Sequence, residues 1–152
     1  MQTITIDAFQ LIGIGVRTSN QNQQAATDIP ALWSRFMTEG IQEKIPHKIS
    51  PEIYAIYTNY EGNHTQPYDA VIGCKVSSLE QVPKGMQAFQ FDGGKHKKIV
   101  AKGDLTKGAV INAWLKIWES DIDREYVADF EIYGEKAMNP EDAEVDILVR
   151  VK

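Results

Sequence analysis

Glu131 stands in the run VADFEIYGE (residues 127 to 135), which reads as a β-strand except for the carboxylate at its centre. Successive side chains of a strand alternate between faces, so Val127, Asp129, Glu131 and Tyr133 share one face and Ala128, Phe130 and Ile132 the other. A carboxylate among aromatic rings suits a delocalised organic cation. Desolvation makes an unpaired carboxylate costly, a bound cation restores its partner, and ring faces add attraction of about 0.5–2 kcal/mol each. Phe130 and Ile132 are expected to pack beneath the helices. The same alternation is met by a half-exposed strand, with Glu131 in water opposite a buried Phe130 and Ile132.

Other chemistry has less to build on. His47, His64 and His96 fall in loop-like or turn-flanking segments without metal-ligand spacing, and are read as solvated. No metal or cofactor is expected. No nucleophile elbow, phosphate loop or zinc signature is present, and DGGK (92 to 95) reads as a hairpin turn because no helix opens after it. The single cysteine, Cys74, lies in the apolar run DAVIGCKV and is expected to be a buried, inert thiol. Glu52, Glu61, Glu135 and Asp146 are read as surface carboxylates at hairpin ends and strand exits.

The elements that must position Glu131 come in a repeated order of strand, helix, strand, strand. In the first half, TITIDAFQLIGIGVRT is extended, with Gly13 and Gly15 permitting close backbone approach. DIPALWSRFMTEGI is a helix with Asp28 and Pro30 as start signals and Ile29, Leu32, Trp33 and Phe36 as its apolar face. IYAIYTNY and YDAVIGCKV follow as a hairpin. After EQVPKG the order recurs: MQAFQFDGGKHKKIVAKG is extended, and DLTKGAVINAWLKIWES is a helix with Ile111, Trp114, Leu115 and Trp118 as its face. YVADFEIYGE and AEVDILVRV then form the second hairpin. Residues 1–152 are expected to make a single domain of two pseudo-repeats, about 1–80 and 81–152. Neither repeat buries enough to stand alone. The fold class is therefore α+β: one antiparallel sheet from both repeats, two long helices against it, and a central ligand cleft where the repeats meet.

Matching the two repeats aligns Phe130, Glu131, Ile132 and Tyr133 with Tyr54, Ala55, Ile56 and Tyr57. Ala55 and Tyr57 are thus expected on the cleft side with Glu131 and Tyr133. Trp33 or Trp114 is placed partly in the cleft, and Phe36 with them, although helical spacing fits core packing as well. Phe89 and Phe91 share a face whose direction the alternation leaves open.

The ordered strings IPALWSRF, IYAIYTNYE, YDAVIGCKV, AWLKIW, DFEIY and VDILVRV resemble the GyrI-like effector-binding domain family, over essentially the whole chain. Within that family the chain is most similar to the single-domain, integron-cassette type. The resemblance implies a pocket for bulky, often cationic, aromatic or lipophilic compounds. It also implies a glutamate in the penultimate strand at the pocket base, here Glu131, with Tyr133 facing the pocket two residues on. Some relatives carry a helix-turn-helix module, for which this chain has no room, so direct nucleic-acid binding is not expected. The net charge of −5, with KHKK at 95 to 98 as the one basic cluster, agrees. A branch of the superfamily hydrolyses reactive drug-like compounds with a glutamate and a tyrosine, and some relatives inhibit gyrase. Hydrolysis and binding of a protein partner such as a topoisomerase therefore stand as alternatives to small-molecule sensing or sequestration. No secretion signal and no membrane-crossing apolar run is visible, which makes the cytoplasm the expected location.

Overall fold

The computed structural model describes residues 2–152. Eight strands form one antiparallel sheet: β1 (Gln2–Ile6), β2 (Phe9–Thr18), β3 (Ile53–Thr58), β4 (Tyr68–Val76), β5 (Gln87–Phe91), β6 (Gly94–Gly103), β7 (Ala128–Tyr133) and β8 (Ala143–Arg150). One long helix, α1 (Gln24–Thr38), belongs to the first repeat, with the single turn α2 (Ile41–Lys44) after it; the shorter α3 (Ala109–Glu119) belongs to the second. None of these helices is long and apolar enough to cross a membrane.

The strand order β1-β6-β8-β7-β3-β4-β2-β5 reads the same from either end once the repeats are exchanged. The exchange axis runs through the central pair β3/β7, where Ala55 lies directly opposite Glu131. Each repeat thus contributes an equivalent half of the sheet, and its hairpin meets the other at the centre.

DGGK is not a hairpin turn. β5 pairs with β2 while β6 pairs with β1 and β8, and the register runs on without a break from Ile6↔Gly94 to Phe9↔Phe91. The segments Asp7–Ala8 and Asp92–Gly93 are therefore two bends in one long antiparallel ladder, which curls the sheet round so that its ends meet. Gly93 makes this bend possible, since a Cβ there would fall 2.0 Å from the Ile6 carbonyl oxygen. KHKK accordingly opens strand β6, and His96 within it is fully buried, its Nδ1 3.0 Å from the Gly94 carbonyl and its ring stacked on Phe130. It is not the surface histidine expected, because the curl folds its strand face inward; His64 is half-buried as well, and of the three His47 alone is exposed.

Curling buries both faces of the sheet. On the inner face of the curl, Leu11, Tyr54, Ile56, Phe91, Phe130 and Leu148 pack together, with Phe9, Phe89 and Ile132 against them. The helices cover the other face. Phe130 and Ile132 consequently do not lie beneath the helices as expected; Glu131 does. Leu32 and Phe36 of α1 pack on Ile12, Ile14, Ile72 and Cys74, whereas Trp114 and Ile117 of α3 pack on Val145, Ile147 and Val149. Burial raises the Cys74 thiol pKa to about 11.

Two helix expectations change. α1 begins at Gln24, so Asp28 and Pro30 fall inside it; Asp28 instead accepts from Thr18 Oγ1 at 2.9 Å and from Gln24 Nε2 at 3.1 Å. In α3 the buried side is Val110, Ala113, Trp114 and Ile117, while Ile111 and Leu115 are 50% and 46% exposed. Both sets have the spacing i, i+3, i+4, i+7, and a helix apolar on several sides leaves the choice to its packing partners. The observed set aligns Trp114 with Trp33.

Candidate functional site

With α1 over the β2/β4 side and α3 over the β6/β8 side, the central strands β3 and β7 are left as the floor of a cavity of about 590 Å³ between the helices. Tyr57, Glu131 and Tyr133 rise from that floor, and Trp33, Trp114 and Trp118 supply indole walls. Tryptophan and tyrosine suit such a place because each offers a broad apolar ring and one polar atom that must find a partner when buried.

That partner is Glu131. Its side chain is 2% exposed and accepts three hydrogen bonds: Oε2 from Tyr57 Oη at 2.8 Å and from Trp114 Nε1 at 2.7 Å, and Oε1 from Tyr133 Oη at 2.7 Å. Burial pushes the Glu131 pKa above the ordinary carboxylate range, and the Tyr133, Trp114 and Tyr57 bonds act against that shift. The tyrosine pKa values are raised too. Burial, with the Glu131 charge second, holds both Tyr57 and Tyr133 well above the usual phenol value.

The repeat symmetry extends to the walls. Trp33 of α1 meets Tyr133 of the other repeat edge to face, with centroids 4.9 Å apart, and Trp114 of α3 meets Tyr57 at 5.7 Å in the same way. Each helix thus touches the tyrosine of the opposite repeat. The pattern departs from symmetry at the carboxylate, whose counterpart is Ala55.

Of the expected site residues, Glu131, Tyr133, Tyr57, Trp33 and Trp114 line the cavity. Ala55 and Phe36 do not. Ala55 is buried beneath its neighbours, and Phe36, one turn below Trp33, is packed into the core against it at 6.2 Å. Phe89 and Phe91 lie on the inner side of the curl, remote from the cavity face.

A second polar group adjoins the first and was not singled out from sequence. Asp129, fully buried on the same strand face as Glu131, accepts from Tyr60 Oη at 2.5 Å, Arg124 Nη2 at 2.8 Å and the Arg150 amide at 2.9 Å. Tyr60 and Arg124 both line the cavity, as does His64, whose ring stacks on Trp118 at 5.4 Å. Strand parity already put Asp129 beside Glu131; nothing local marked Arg124 or Tyr60, which reach the site from segments outside the strands. Among the described residues there is no group of three or more metal-ligating side chains.

With this geometry in view, the likenesses to other proteins are informative. A Vibrio cholerae integron cassette protein, VCH_CASS2, is 27% identical, covers 98% of this chain and 95% of its own, and superposes with a TM-score of 0.71. SAV2435, solved with tetraphenylphosphonium bound, is 18% identical and superposes with a TM-score of 0.82 over 99% of this chain and 93% of its own. YobU of Bacillus subtilis, named as a transcriptional regulator, is 24% identical over 151 residues, 97% of this chain and 94% of its own. A profile for Cass2, the integron-associated effector binding protein, matches residues 3–151. The chain belongs to this integron-associated effector-binding family.

Proposed function

We propose that the protein binds lipophilic organic cations in the central cavity, with Glu131 as counter-charge and Tyr57, Tyr133, Trp33 and Trp114 as aromatic walls, and acts by ligand sensing or sequestration. The observation that carries this reading is the burial of one carboxylate at the floor of an aromatic cavity, with three neutral donors converging on it. Three donors favour the ionised form, yet none of them cancels its charge. A cation does, and in a site of low dielectric that attraction is stronger than in water.

The hydrogen bonds also bear on which cations fit. Three acceptor positions of Glu131 are already taken, so the carboxylate is better suited to a delocalised charge than to an ammonium that demands several acceptors. Tetraphenylphosphonium, the compound bound in SAV2435, is such a cation. Rings and one charge contact ask little about ligand shape, so selectivity within this class is expected to be broad.

Hydrolysis is less well supported. A general acid works best with a pKa near the operating pH; burial moves Glu131 in that direction, but both cavity tyrosines that would complete an acid/base pair are shifted away from it.

The test is a titration with tetraphenylphosphonium and with neutral triphenylphosphine oxide, following tryptophan fluorescence, for the wild type and Glu131→Gln. The cation is expected to bind at least tenfold more tightly than the oxide, and Glu131→Gln to remove most of that difference. Equal binding of the two compounds, or unchanged affinity in the variant, overturns the counter-charge role. Mass spectrometry of the mixture distinguishes retention from turnover.

A further inference from the structure

Closing the curl leaves one strand of the second repeat paired on a single side. β2 lies between β4 and β5, and β6 lies between β1 and β8, but β5 has β2 on one side and no ladder partner on the other among the described residues. Its residues Gln87, Ala88 and Gln90 are exposed. Such an edge offers a row of backbone donors and acceptors to another extended chain, and proteins usually guard it with lysine, proline or a bulge. QAFQF has no charge and no proline, and its register to β2 runs without a bulge.

Charges stand just beyond the two ends of β5 and are of opposite sign. Lys84 precedes the strand and Asp92 follows it; both are exposed, and neither has an ion-pair partner among the described residues. An antiparallel pairing of two such strands sets the lysine end of each against the aspartate end of the other, twice by symmetry. A parallel pairing sets like against like. Beside the Asp92 end lies a groove of about 430 Å³ lined by Phe9, Ile49, Val76 and Phe91, with Ile49 62% exposed. Val82, 40% exposed, stands on the Lys84 side, so apolar surface flanks both ends. The other sheet edge, β1, lacks this match: between Gln2 and Ala8 the one charge is Asp7.

We propose that β5 is a self-association edge, at which a second copy of this chain pairs antiparallel, β5 against β5. Phe89 lies near the two-fold axis, Lys84 of each copy stands beside Asp92 of the other, and Val82 of each copy is directed towards the groove at Ile49. The pair is closed because both copies use the same edge, whereas β1 against β5 would leave a free edge at each end and grow into chains. No β5 residue lines the central cavity, so the pair has two cavities, and the inference goes beyond the ligand-binding reading without resting on it. Two short strands with a groove at each end make a small interface, which sets the dissociation constant on the order of 10–100 µM.

Sedimentation equilibrium of the whole chain between about 5 µM and about 500 µM reads this association as a monomer–dimer equilibrium. Lys84→Glu and Asp92→Lys are each expected to weaken the dimer about fivefold or more, since symmetry repeats the like-charge contact, and the double swap Lys84→Glu, Asp92→Lys to return it to within about twofold of the wild type. Ala88→Lys places a guarding charge in the middle of the edge and is expected to abolish the dimer over the same range. A wild type that stays monomeric throughout, or that assembles beyond the dimer, overturns the proposal. So does a dimer indifferent to Ala88→Lys, or a double swap no tighter than the single ones. Should a single swap fail to fold by circular dichroism, salt gives the same reading: the wild-type dimer is expected to weaken severalfold between about 0.05 M and about 0.5 M NaCl, and an unchanged constant overturns the charge match.

Discussion

Glu131 faces Ala55 directly across the β3/β7 pair, on the axis that exchanges the two repeats. A duplicated fold builds this position twice, and the molecule has a carboxylate at one copy and a methyl at the other. Tyr57 and Tyr133, by contrast, are kept at both copies and both donate to the one carboxylate. A second carboxylate would have no donors left to share and would stand against a like charge.

Ala55→Glu tests that asymmetry. Directly opposed side chains in an antiparallel pair have Cβ atoms about 4.5–5.5 Å apart, and a second buried carboxylate there is expected to destabilise the protein by roughly 3 kcal/mol or more. Chemical denaturation should show the loss shrinking as pH falls, because one proton relieves the pair.

Glu131→Gln should trade function for stability. Burial raises the folded-state pKa of Glu131, so its contribution to stability is fully present below its unfolded pKa and is lost as pH rises through the folded value. At neutral pH the wild-type carboxylate is thus a liability of the free protein. Removing it is expected to raise Tm by about 2–4 °C, corresponding to about 1 kcal/mol, even as cation affinity falls. Differential scanning calorimetry without ligand measures this; a lowered Tm would show that the three hydrogen bonds outweigh the desolvation.

Cation affinity should depend on pH with the opposite sign. Protonating Glu131 removes the counter-charge, so tetraphenylphosphonium binding is expected to weaken on acidification, beginning at a higher pH than an ordinary carboxylate would give. Tyr57→Phe keeps the ring and deletes one donor that favours the anion, which should move the midpoint of that loss upwards. Titrations between about pH 8 and about pH 5 read both effects.

His96 predicts a separate acid-side loss of stability. Burial lowers its folded-state pKa below the ordinary 6.5, so its contribution is present above the unfolded pKa and lost as pH falls towards the folded value. His96→Gln is expected to flatten that part of the stability profile, measured by urea denaturation across the acid limb.

Gly93→Ala should cost about 2–3 kcal/mol, because the added methyl meets backbone rather than a yielding side chain. The effect should appear as a lower denaturation midpoint with the sheet otherwise intact by circular dichroism. Little change would mean that the bend between β5 and β6 opens more easily than its packing suggests.

The sequence by itself determined the repeat, the strand-helix-strand-strand order and which residues travel together. Alternation put Asp129, Glu131 and Tyr133 on one strand face, and matching the repeats paired Glu131 with Ala55, because period and order are local properties of the chain. Tertiary structure decided the rest. It covered the Glu131 face with helices and turned Phe130 and Ile132 into the curl, a choice that alternation cannot make when both faces of a sheet are buried. It selected Val110, Ala113, Trp114 and Ile117 as the packed side of α3, since a helix apolar on several sides has more than one admissible face. It converted DGGK from an expected hairpin into a bend, because only the long-range pairing of β1β2 with β5β6 distinguishes the two. Arg124 reaches the cavity from the loop before β7, and Tyr60 and His64 from the loop between β3 and β4, and no local period connects two segments that only the curled sheet brings together.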